Sequence, residues 1–147
     1  MTPSDATILV VEDDENDLFL LKRAFAKAKV TNPIQEARDG EEAVGYLTQI
    51  LQGSGDGARL PVLVLLDLKL PRLSGHEVLS WIRSQNATRR LPVVVLTSSD
   101  EPRDINMAYD AGANSYLVKP GDPTRILELA LSVGTYWLMT NQPPITQ

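Results

Sequence analysis

Short apolar runs alternate along this chain with longer stretches in which apolar residues recur every three or four positions. Residues 8–11, Ile-Leu-Val-Val, are apolar without alternation, the pattern of a strand buried on both faces. From Glu15 onward, Leu18, Leu21, Phe25 and Ala28 fall on one helical stripe with Lys22, Arg23 and Lys27 off it, and Asn32-Pro33 breaks the pattern. A short second strand is predicted over 34–37. Asp39 then caps a helix, with Glu42 completing a variant capping box and Ala43, Val44, Leu47, Ile50 and Leu51 supplying the apolar face. The stretch Gly53-Ser54-Gly55-Asp56-Gly57 reads as a mobile loop, too short to link two domains.

Residues 62–66 are the most apolar run and the predicted central strand. Ser74 is an N-cap for a third helix carrying Val78, Leu79 and Ile82. Pro92 opens a strand over 93–96, and Thr97-Ser98-Ser99-Asp100 leads into a fourth helix with Pro102 in its first turn and Gly112 as its left-handed C-cap. A strand over 115–118 and a helix over 122–139 complete the series. Strand and helix thus alternate five times, which predicts an α/β protein with a doubly wound, five-stranded parallel sheet. Right-handed crossovers cover both faces with helices and leave the carboxyl ends of the strands along one edge, where open α/β sheets place their sites.

Four of the runs stop at polar residues of different kinds: the first at Glu12 and Asp13, the third at Asp67, the fourth at Thr97 and the last at Lys119. An aspartate after a buried strand is, taken alone, an ordinary cap or loop residue; the four stops together define a chemistry. Carboxylates of Glu12, Asp13 and Asp67 brought to neighbouring strand ends repel one another unless a cation intervenes. An all-oxygen ligand set suits Mg²⁺, which binds one or two carboxylates together with phosphate oxygens. An aspartate carboxylate can itself be the nucleophile that carries a phosphoryl group. Lys119 would supply charge to one phosphoryl oxygen and Thr97 a hydroxyl donor to another.

The segments ILVVEDDENDL, VLLDLKLPRLSG, VVVLTSS and SYLVKP resemble, in order and spacing, the receiver domain of two-component response regulators, from about Thr7 to Met139. The resemblance implies the flavodoxin-like receiver fold, a (βα)5 sheet of order 2-1-3-4-5. It implies that Asp67 is the phosphoacceptor, that Asp13 binds the metal directly with Glu12 beside it, and that Lys69 lends its backbone carbonyl. Thr97 and Tyr116 become the switch pair, the aromatic turning inward when Thr97 moves to the phosphate. Asp14 matches no core position of the family and suits the start of the first helix, where negative charge is favourable. The face built from helix 4, strand 5 and helix 5 would carry the signal onward. A narrower resemblance, to small stand-alone receivers paired with phytochrome kinases, rests on the Gly-rich insert, the DAGANSYLVKP run and the apolar end near YWL. It implies a sensor histidine kinase as donor, a bacteriophytochrome in the narrower case, docking around Asn16 and Leu20.

Composition narrows the field. A chain of 147 residues suits one domain over 1–147, with a core at about 7–139 and a tail at 140–147. Zero cysteines exclude thiol chemistry and cysteine metal sites, and a net charge of -5 speaks against nucleic acid as a partner. No apolar run approaches the length of a membrane span, so a cytoplasmic location is expected. Only residues 140–147 follow the last helix, so a stand-alone receiver is the expectation. On the last helix Ile126, Ala130, Val133 and Trp137 form one apolar stripe, with Leu127, Leu131 and Leu138 about 120° away on a second. The surplus stripe predicts a homodimer through helix 4, strand 5 and helix 5. His76, the one histidine, is expected to be a solvated helix residue. The alternatives are a haloacid dehalogenase-like phosphatase and a phosphorylation-independent interaction module. The former needs a second aspartate two residues after the nucleophile, where this chain has Lys69, so a switch rather than an enzyme is expected. The latter sits poorly with a complete acceptor set.

Overall fold

The computed structural model describes residues 5–53 and 59–145; all of the Gly-rich insert but Gly53 lies outside the described residues. Strands β1 (Ile8–Val11), β2 (Ile34–Ala37), β3 (Leu63–Leu66), β4 (Val93–Thr97) and β5 (Ser115–Val118) form one parallel sheet in the order β2-β1-β3-β4-β5. Helices α1 (Glu15–Lys27), α2 (Gly40–Leu51), α3 (Gly75–Ser84), α4 (Pro102–Asp110) and α5 (Arg125–Val133) follow the strands in turn. This is the flavodoxin-like arrangement that the resemblance implies.

Because side chains alternate along a strand, each apolar run feeds two cores. Ile8 and Val10 of β1, with Leu63 and Leu65 of β3, pack with Leu18, Leu21 and Phe25 of α1 and with Ala130 and Val133 of α5. Leu9 and Val11, with Val64 and Leu66, face Ala43 and Leu47 of α2 and Val78, Leu79 and Ile82 of α3. β1, β3 and β4 are buried at every position, which is why their sequences carry no polar alternation.

The caps follow local chemistry. Asp14 accepts a hydrogen bond from Asp17 N at the start of α1, and Ser74 and Glu77 form a reciprocal capping box on α3. Asp39 accepts from Glu42 N, but the Glu42 side chain accepts from Arg38 N, one residue beyond the N-cap that a regular box would use. Gly112 follows α4 at φ 107°, the left-handed conformation expected of it. α4 itself is lightly held, with Ala108 its one buried residue and no side-chain bond at its N-cap. Beyond its other end, Arg83 of α3 donates from Nε to Gly112 O at 2.9 Å, from Nη1 to Leu91 O at 2.7 Å and from Nη2 to Asn114 Oδ1 at 2.9 Å.

The last helix departs from expectation at both ends. Asp122 Oδ1 accepts from Thr124 N at 2.9 Å, a local turn that delays α5 to Arg125. After Val133 the chain continues as a π-helical segment, Gly134–Thr140. The i to i+5 period of a π-helix sets Leu138 over Val133, so both are buried where an α-helical count puts Leu138 on the outer stripe. Leu127 packs against the same core, and Leu131 alone of that stripe is exposed. His76 also differs from expectation: it is half-buried, and its Nδ1 has no hydrogen-bond partner among the described residues.

Candidate phosphoacceptor site

Main-chain bonds extend the sheet register one residue past its strands. Glu12 N donates to Ala37 O at 2.9 Å, Asp67 N to Val11 O at 3.0 Å and Lys119 N to Thr97 O at 2.8 Å. These bonds fix the four strand-end positions along one edge. Glu12, Asp13 and Asp67 then present carboxylate oxygens that all lie within 4.8 Å of one another, Glu12 and Asp67 buried and Asp13 exposed. Lys69 N donates to Asp67 Oδ1 at 3.2 Å, a turn that orients the carboxylate.

The Lys119 ammonium sits among these groups, 2.6 Å from Glu12 Oε1, 2.8 Å from Asp17 Oδ2 and 3.0 Å from Asp67 Oδ2. Burial pushes the Glu12 carboxyl from 4.5 up to about 7, and the Asp67 charge adds to this, against the opposing bond from Lys119. Burial works against the Lys119 charge, yet its bonds to Asp17 and Glu12 and the field of Asp67 hold it above the ordinary lysine range. One cation among crowded carboxylates leaves the cluster with an excess of negative charge. Three carboxylates with converging oxygens are the donor set a hard divalent cation takes, and the residues present fit one.

Thr97 is fully buried at the end of β4, and its Oγ1 has no hydrogen-bond partner among the described residues. An unmatched buried hydroxyl costs about 1–3 kcal/mol, and such groups mark functional positions. Tyr116 on β5 packs against Leu68, Val95 and Ala108, and its O–H donates to Ser99 O at 2.9 Å in the loop between β4 and α4. Ser99 Oγ in turn donates to Asp104 of α4. The structure therefore brings together Glu12, Asp13, Asp67, Lys69 and Lys119, and sets Thr97 and Tyr116 on the adjoining strands. Sequence reading missed Asp17, and it missed the tie of Ser99 to Tyr116 and Asp104. A carboxylate in the first turn of α1 is the faint signal for Asp17, since α1 must start beside the end of β1.

A doubly wound parallel sheet with acidic residues at the ends of its first and third strands and a lysine at the end of its last defines the flavodoxin-like receiver class. The family model of the response regulator receiver domain matches residues 8–131, and the chain belongs to that family, whose members accept phosphoryl groups. The probable methanogenesis regulatory protein FilR2 of Methanothrix harundinacea is 42% identical over 93% of this chain and 86% of its own length. Response regulator Rcp1 of Synechocystis is 34% identical over 90% of this chain and 89% of its own. The structure of Rcp1 in its Mn²⁺-bound form superposes with a TM-score of 0.85 at 33% identity, covering 95% of this chain and 99% of that one. That of the phosphorylated cyanobacterial phytochrome response regulator RcpA does so with a TM-score of 0.86 at 36% identity, over 95% and 99% of the two chains. Among the described residues no helix is long and apolar enough to cross a membrane.

Proposed function

We propose that Asp67 is the phosphoacceptor of a two-component pathway, in an Mg²⁺-dependent transfer from a phosphohistidine. The observation that carries this reading is the convergence of the Glu12, Asp13 and Asp67 carboxylates with Lys119 Nζ 3.0 Å from Asp67 Oδ2. An Asp67 oxygen forms a bond to phosphorus with its own lone pair, the nitrogen–phosphorus bond of the donor breaks, and the imidazole leaves with that electron pair. A bound divalent cation, held by Asp13, Asp67, Glu12 and the Lys69 carbonyl, supplies positive charge against the carboxylates and the incoming phosphoryl oxygens. Lys119 stabilises a second oxygen, and the unmatched Thr97 hydroxyl donates to a third. Release of Tyr116 from Ser99 accompanies the movement of Thr97 and alters the loop that leads into α4.

The exposed apolar side chains Met107 and Tyr109 of α4, Val118 of β5, Leu131 of α5 and Tyr136 just beyond it support a homodimer through this face. The likeness to Rcp1 and to the phytochrome response regulator RcpA supports a phytochrome-type histidine kinase as donor. Incubation with a small phosphodonor and Mg²⁺ is expected to add one phosphoryl group to the intact protein, read by mass, and Asp67→Asn to abolish it. Undiminished labelling of that variant would overturn the assignment of Asp67. In the same assay a phytochrome-type kinase is expected to label the protein faster than unrelated histidine kinases do; equal rates would remove the light-sensing input.

A further inference from the structure

Asp17 stands outside the carboxylate group at the strand ends, in the first turn of α1. Its Oδ2 nonetheless accepts a bond from Lys119 Nζ at 2.8 Å, a pairing that joins residues 102 positions apart in the chain. An ammonium has three hydrogens. Glu12 at 2.6 Å, Asp17 at 2.8 Å and Asp67 at 3.0 Å occupy them all. Glu12 and Asp67 both belong to the group of carboxylates that can hold a cation, and in the proposed reading Asp67 is also the nucleophile that bonds to phosphorus. Asp17 is neither. Its side chain is 37% exposed, against 6% and 8% for Glu12 and Asp67. The pair it makes with Lys119 spans the cleft between α1 and the segment after β5, which Asn16, Leu20, Pro120 and Gly121 also line.

Resting on the phosphoacceptor reading, we propose that Asp17 is a positioning residue that anchors the Lys119 ammonium during phosphoryl transfer. When a cation and a phosphoryl group claim Glu12 and Asp67, Asp17 is the acceptor that stays with the ammonium. A lysine head on a four-carbon stem keeps a fixed place only while a partner holds it. Asp17 takes no proton and forms no covalent bond. Asp67 bonds to phosphorus, the donor's bond to phosphorus breaks, and the donor departs with the electron pair. The Asp17 bond keeps Lys119 aimed at the oxygens on which negative charge is carried.

The test compares wild-type protein with Asp17→Ala and Asp17→Asn, using acetyl phosphate and Mg²⁺ so that no kinase surface takes part. The maximal rate is expected to fall roughly 10-fold in Asp17→Ala, in the range that loss of an outer partner costs. The donor KM stays unchanged, because the contact acts on the transfer itself. Asp17→Asn, which keeps an acceptor oxygen in place, recovers part of the rate. In metal-free protein the ¹⁵N-bound ammonium protons of Lys119 are protected from exchange with water in the wild type and lose that protection in Asp17→Ala. A labelled wild type with an equal maximal rate in Asp17→Ala, or a loss confined to KM, would overturn the positioning role. A wild type that takes no phosphoryl group would instead overturn the phosphoacceptor reading.

Discussion

Glu12 shows at the level of one residue how this site trades stability for chemistry. Its folded carboxyl titrates at about 7 because burial disfavours its charge, whereas an ordinary glutamate titrates at 4.5. The folded state therefore holds a proton that the unfolded chain has released, and the stabilisation this gives is lost as pH rises through about 7. Glu12→Gln removes the buried charge while keeping the shape. In the presence of a chelator the variant is expected to exceed wild type in stability by on the order of 1–3 kcal/mol at about pH 8, with the gap closing toward about pH 5. Urea unfolding at the two pH values measures it, and a gap that does not widen with pH would contradict the account. Added Mg²⁺ is expected to reverse the order, since binding stabilises only the protein with the full ligand set. Glu12, Asp13, Asp67, Thr97 and Lys119 were legible in the sequence because parallel strands place their ends together. Asp17 was not, because a negative residue in the first turn of a helix has a sufficient generic reason to be there.

At the level of elements, Gly75 ties the start of α3 to the phosphoacceptor loop. A Cβ at this position would lie 2.2 Å from Asp67 O and 2.6 Å from Leu68 Cα, while Gly75 N donates to Leu68 O at 2.9 Å. Backbone atoms cannot step aside as a flexible side chain would. Gly75→Ala is therefore expected to destabilise the protein by about 1–3 kcal/mol, as overpacking does, and to slow phosphorylation by shifting Asp67. Denaturant unfolding together with the mass-based labelling rate tests this; unchanged stability would refute the close approach. The sequence presented this glycine only as a residue of a resemblance, since close contact between a helix and a distant loop leaves no local pattern. Strands β1, β3 and β4 were the easy part, because burial on both faces leaves them almost wholly apolar. The π-helical segment was hidden for the opposite reason: Gly-Thr-Tyr-Trp-Leu-Met-Thr has no feature that separates a π from an α turn, and packing on Val30 and the α5 core decides it.

For the whole molecule, five of the nine large apolar side chains exposed among the described residues lie on α4, β5, α5 and the start of the segment beyond. Met107, Tyr109, Val118, Leu131 and Tyr136 are exposed on α4, β5, α5 and the segment beyond, whereas Leu127 and Leu138 have been drawn into the core. The sequence reading thus assigned the proposed face too many leucines. Leu131→Asp is expected to convert the proposed dimer to a monomer without loss of folding, since this side chain is 45% exposed. Sedimentation with and without phosphorylation measures it. A wild-type protein that is monomeric in both states would remove the dimer.

The fan of bonds from Arg83 gives α4 a mechanical asymmetry. Beyond its C-terminal end, Gly112 and Asn114 are riveted to α3 by a guanidinium whose acceptors there are all neutral oxygens, bonds that no nearby change of carboxylate charge unpairs. At its N-terminal end the helix meets the rest of the protein through Ser99, the residue whose carbonyl also receives Tyr116. The helix is a lever with its fulcrum at Gly112 and its load at Ser99. Loss of the contacts at Ser99 is therefore expected to loosen α4 more at Pro102 than near Gly112, which amide exchange along the helix would measure.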